Sequence, residues 1–169
     1  MVKSASVQVR NNLNLKLLFF ALLAFSSSAL IAQLPANFSG TWIQDNSKSN
    51  AQYKDYNIQL TIVQTQKTFI VTTVFCDKNG KELSSGSETY NLDGKETVKN
   101  EDGAVQKESA SWSTDGKTLK TKVTRTNAGE VYGSITAYSL SNNGLVLTVR
   151  TDNVRPGQPA IIQVLNKKQ

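Results

Sequence analysis

The sequence predicts an all-β fold, an antiparallel up-and-down meander closing into a β-barrel of about eight to ten strands, and three observations carry that expectation. Turn pairs recur at Asn79-Gly80, Asp93-Gly94, Asp102-Gly103, Asp115-Gly116, Asn127-Ala128-Gly129 and Asn143-Gly144, with successive glycines 9 to 15 residues apart. Such pairs supply the positive φ of tight hairpins and match the twist of the flanking strands. Between the turns the residues are β-branched or aromatic with a period near two. After residue 33 no segment sustains a helical period.

The first strand is expected at 40–45, opening on Gly40-Thr41-Trp42. Strands at 57–65 and 67–77 follow; in Ile58-Gln59-Leu60-Thr61-Ile62 one face is apolar and the other polar. The turn spacing then sets strands at 82–92, 95–100, 104–113, 117–126, 130–140, 145–152 and 159–166. Only 46–56 and 152–159 are long connections. The first has room for a short helix or lid around Ser47 to Tyr56, and Pro156 and Pro159 stiffen the second. A serial meander of short strands hides its edges most simply by closing on itself. A two-sheet sandwich is the alternative, but its Greek-key crossings need longer connections.

Residues 1–32 read as an export signal. Lys3, Arg10 and Lys16 precede the apolar run Leu17 to Phe25, and small residues lead to Ala32. The run is too short for a permanent helical span, which needs about 20 residues. Cleavage is expected after Ala32, with Ala29 as the alternative site, leaving a barrel domain at 33–169 and a secreted or periplasmic location. Removing those three of the 19 basic residues, and none of the 13 acids, leaves a charge of about +3. The remaining lysines are scattered and interleaved with acids, so no nucleic-acid footprint is expected, and no membrane span remains after cleavage.

Composition removes most common chemistry. The chain has no His and one Cys, so it can build neither a Ser-His-Asp nor a Cys-His pair, nor a Cys/His zinc site. Cys76 has no partner for an intramolecular disulfide and is read as a small buried apolar residue. No catalytic residue, metal or cofactor is expected, and the chain is read as a non-enzyme.

The opening Phe38-Ser39-Gly40-Thr41-Trp42, set at the start of such a meander, resembles the lipocalin and fatty-acid-binding protein superfamily. The likeness extends to bacterial exported lipocalin-like proteins, with patterns such as Leu140 to Arg150. It implies that Gly40 permits a sharp bend, that Trp42 plugs the closed end, and that Arg150 on a late strand stacks on Trp42. Alternation sets Arg150 on the face opposite Leu145, Leu147 and Val149, and Arg125 competes for the same role. The last strand lacks the Arg-x-Tyr of intracellular fatty-acid binders, so a carboxylate clamp of that kind is not expected.

Inward candidates include Leu60, Ile62, Phe69, Val71, Phe75, Tyr90, Trp112, Leu119, Val123, Tyr132 and Tyr138. Arg125 continues the face of Leu119, Thr121 and Val123. It either meets an anionic ligand or sits solvated at the rim. Arg125, Tyr90, Trp112, Tyr132 and Tyr138 are therefore the ligand-binding candidates for a small apolar or amphipathic molecule. The competing reading is a packed, ligand-free envelope interaction or inhibitor-like domain with an unidentified protein partner. About eight strands can just fill themselves while more leave a cavity, so the volume of the lumen decides between them.

Overall fold

The computed structural model describes residues 34–50, 54–141 and 143–169. The expected export signal and its cleavage sites lie outside the described residues. Ten strands run in chain order: Gly40–Gln44 (β1), Asn57–Gln64 (β2), Thr68–Cys76 (β3), Glu82–Asn91 (β4), Thr97–Glu101 (β5), Ala104–Trp112 (β6), Thr118–Asn127 (β7), Glu130–Leu140 (β8), Val146–Asn153 (β9) and Ile161–Lys167 (β10). Every pairing is antiparallel, and the sheet order is β4-β3-β2-β1-β10-β9-β8-β7-β6-β5. The first strand meets the last, with Trp42 opposite Lys167 and Gln44 opposite Leu165.

The barrel is nearly closed, and its one break lies between β4 and β5. Asn91 Nδ2 donates to Thr97 Oγ1 there at 3.3 Å, but no ladder forms. Beyond Tyr90, which is already buried at the closed end, the inner face of β4 is Ser84, Gly86 and Glu88, and that of β5 is Thr97 and Lys99. Zipping these edges would bury no apolar surface, so little drives closure. The segment expected to hold a helix or lid, 47–56, forms turns in its described part.

One half of the interior is solid. Phe38, Trp42, Phe69, Leu119, Leu147 and Leu165 are fully buried and pack with Ile62, Tyr138 and the half-buried Trp112. Phe38 is the centre of this plug: it stacks on Trp112 at 5.9 Å and meets Phe69 edge-on at 6.0 Å. The segment before β1 crosses under the plug, since Ala36 N donates to Gly116 O and Gln64 Nε2 donates to Ala36 O. Gln64 Oε1 accepts from Phe38 N, so a single amide pins the crossing strap to the end of β2.

The expected Arg150 stack on Trp42 is not formed. Arg150 points outward from β9, where it holds Asp152 through Nε at 2.9 Å and through Nη2 at 2.8 Å. Lys167, the direct cross-strand neighbour of Trp42, places its Nζ 5.3 Å from the indole centroid. Gly40 makes this possible: at φ +142° it takes a conformation that side chains resist, and a Cβ there would lie 3.0 Å from Lys167 Cε. Cys76 is half-buried rather than buried, because a register irregularity at Phe75/Cys76 lifts it at the end of β3.

At the other end β1 stops at Gln44, and the beginning of β10 needs other partners. The loop after β1 supplies them: Asp45 N donates to Val164 O, Val164 N donates to Ser49 Oγ, and Ile162 N donates to Asn50 Oδ1. The Ser47 hydroxyl, followed by the Lys48 ammonium 3.0 Å away, holds the Asp45 carboxyl at about 2, below its ordinary 3.8. A depressed carboxyl contributes above its unfolded value and loses that contribution as pH falls through the folded one. The loop is therefore expected to stay ordered down to pH 3.8 and to loosen near pH 2. Carboxyl chemical shifts of Asp45 followed through an acid titration check this; a midpoint at 3.8 would contradict it.

Candidate functional site

Above the plug the barrel is hollow. A cavity of about 550 Å³ is lined on one side by Leu60, Val71, Phe75 and Val149, and on the other by Ser84, Gly86, Glu88, Thr136, Thr151 and Gln163, with Thr73 and Tyr138 also on its wall. Strand alternation accounts for these residues, and the outward Ser85 and Ser87 border the cavity from the unpaired edge of β4. The inward positions of β4 follow from Phe69 facing Tyr90, which makes Glu88, Gly86 and Ser84 face the lumen opposite Val71, Thr73 and Phe75. In β8 and β9 the same period turns Thr136, Tyr138, Val149 and Thr151 inward.

The polar wall is organised by short hydrogen bonds. Tyr90 Oη donates to Glu88 Oε2 at 2.6 Å. Burial raises the Tyr90 phenol far above its usual range, and the Glu88 carboxylate it bonds adds to the shift. Tyr138 is raised in the same direction, mainly by burial and then by the Glu88 charge. Both phenols therefore remain neutral donors across the ordinary pH range. Gln163 Nε2 donates to Gln44 Oε1 at 2.8 Å, and Gln44 in turn donates to Asn46. Thr136 and Thr151 hydroxyls meet at 3.2 Å.

Of the ligand-binding candidates, Tyr138 lines this cavity and Tyr90 borders it through Glu88. The other three lie elsewhere. Trp112 belongs to the plug and to a shallow apolar pocket beneath it with Leu34, Pro35 and Leu92. Arg125 and Tyr132 face each other across β7 and β8, close to the turn that joins those strands. Tyr132 is 39% exposed there. Both point to the inner side but stand several residues beyond the cavity level, because the strands run on past it to the mouth. Arg125 is half-buried, and its Nε is buried without a hydrogen-bond partner.

Several residues escaped the sequence reading. Glu108 is 9% exposed on the inner face of β6, paired with Lys99 Nζ at 2.8 Å and accepting from Gln106 at 2.6 Å. Glu88, Gly86 and Ser84 were not singled out because a polar, Gly-containing run reads as solvent-facing; the three are solvent-exposed, and they still line the cavity wall. Counting back by twos from the inward Tyr90 is the signal that finds them. Among the described residues no three His, Cys, Asp or Glu side chains converge as metal ligands.

No family model and no curated protein matches the chain in sequence. Among solved structures the chain is similar to the crystal structure of a secretary abundant heat soluble (SAHS) protein from Ramazzottius varieornatus. The identity is 10% and the TM-score 0.51, over 77% of this chain and 94% of that one. The likeness is one of fold: a lipocalin-like barrel of antiparallel strands in meander order.

Proposed function

We propose that this chain is an exported, non-catalytic lipocalin-like barrel that holds a small amphipathic molecule in its lumen. The cavity of about 550 Å³ carries the reading. It lies inside the range of about 300–1,000 Å³ typical of small-molecule pockets, and it combines apolar walls with a few fixed polar groups. Export is supported by the basic, apolar and small-residue order of 1–32 and is in keeping with the secretory character named for the similar barrel. A non-catalytic role is supported by the lack of His and by polar groups already committed to one another within the wall.

Gly86 offers a direct test. A Cβ there meets nothing within 4 Å and the residue faces the cavity. Gly86→Phe is expected to project its ring into the lumen and take up part of the space a ligand needs. Uptake of an environment-sensitive lipophilic dye should fall at least tenfold, while the unfolding free energy from urea titration stays within about 1 kcal/mol of the parent. Undiminished uptake by a folded Gly86→Phe protein would move binding out of the lumen and favour the packed interaction domain.

A further inference from the structure

We infer that the lumen selects an organic cation: an amphiphile or small amine whose ammonium group sits against Glu88. The inference rests on the lumen being a binding cavity and names its ligand class. Five charged side chains of settled orientation face the inner side of the barrel: Glu88, Lys99, Glu108, Arg125 and, over Trp42 at the closed end, Lys167. Lys99 and Glu108 neutralise each other at 2.8 Å. Arg125 stands toward the mouth, off the cavity wall. Among the described residues, Glu88 is the only charged one lining the cavity.

Glu88 makes no salt bridge among the described residues. Its one fixed partner is the Tyr90 phenol on Oε2, which supplies a hydrogen bond but no charge. Glu88 is itself solvent-exposed, so its carboxylate holds hydration water at the cavity wall. An apolar or anionic ligand that displaces this water strips a carboxylate of its hydration and offers nothing in return, which is costly. An ammonium group restores the balance with a charge-assisted hydrogen bond. The apolar body then has Leu60, Val71, Phe75 and Val149 to rest on, across the lumen from β4. Ser84 and Gly86 leave the approach to Glu88 free of bulk on its own strand. The same geometry works against a fatty-acid carboxylate, which would meet Glu88 as a like charge.

Calorimetric titration of the chain at neutral pH with octylammonium, octanol and octanoate, all below micellar concentration, tests this with one alkyl chain and three head groups. Octylammonium is expected to bind at least tenfold tighter than octanol, and octanoate weaker than octanol. In Glu88→Gln the octylammonium affinity should fall about tenfold to the octanol level, while octanol binding stays unchanged and shows that the variant is folded. Equal affinity for octylammonium and octanol, or a preference for octanoate directed by Arg125, would overturn the inference and leave the lumen as a binding cavity. Failure of all three, octanol included, would instead remove the cavity reading on which it stands.

Discussion

Trp42→Ala is expected to destabilise the barrel by about 3–5 kcal/mol, the range for removing a large buried aromatic side chain. Trp42 is 0% exposed and sits where β1 meets both β2 and β10, opposite Leu60 and Lys167. Its removal leaves a cavity beside Phe38, which the closed half of the barrel cannot fill without moving the whole aromatic plug. It also orphans a buried acceptor, because Trp42 Nε1 donates to Phe38 O at 2.9 Å; an unpaired buried carbonyl alone costs about 1–3 kcal/mol. Trp42→Phe keeps most of the volume and loses the donor, so it should fall between Ala and the parent. Lys167→Met removes only the cation over the ring, worth about 0.5–1 kcal/mol at an exposed site. Urea unfolding followed by far-UV circular dichroism ranks the three. A Trp42→Ala loss no larger than that of Lys167→Met would mean that the indole is not what closes this end.

The order of these costs reflects how much of the molecule is written locally in the sequence. Asn-Gly and Asp-Gly turns are local signals, so strands such as 82–92 and 104–113 stand within about two residues of where the turns set them. Period-two alternation is equally local, and it turned Arg150 away from Trp42 even though the family resemblance paired them. What was not legible depends on registers between strands far apart in sequence. That Lys167 lies over Trp42 requires knowing that β10 pairs with β1. That Arg125 clears the cavity while Thr136 lines it depends on the stagger of β7 against β8 and of β8 against β9. The polar half of the lumen was hidden for a different reason. Inward-facing Ser84, Gly86 and Glu88 break the rule that apolar residues point in, and rules of that kind fail where a site needs polar groups. The seam between β4 and β5 is a product of the same polarity.

Gly133→Ala is expected to be nearly as damaging as loss of the indole, although it adds a single methyl group. Gly133 is the fourth residue of β8, opposite Thr124, with φ +149°. A Cβ there would fall 2.0 Å from Val123 O and 2.8 Å from Thr124 Cα, both backbone atoms of β7. Backbone within a ladder cannot swing aside as a flexible side chain does. Relief requires either parting β7 from β8 or twisting residue 133 to a new φ, and twisting disturbs the bond from Val154 N to Gly133 O. Strain at such a position costs about 1–3 kcal/mol by itself, and the broken ladder raises the expected loss to at least about 3 kcal/mol. For a domain of this size that corresponds to a melting temperature lower by roughly 10 °C. Gly86→Ala supplies the contrast within the same barrel. Its added methyl meets no atom within 4 Å, and a compatible Gly→Ala change is neutral or stabilising by about 0.4–1 kcal/mol through the unfolded chain. Calorimetric melting of the two variants side by side separates crowding from the loss of glycine flexibility. Equal melting temperatures would mean that β7 and β8 are not held as closely at Thr124 and Gly133 as their register requires.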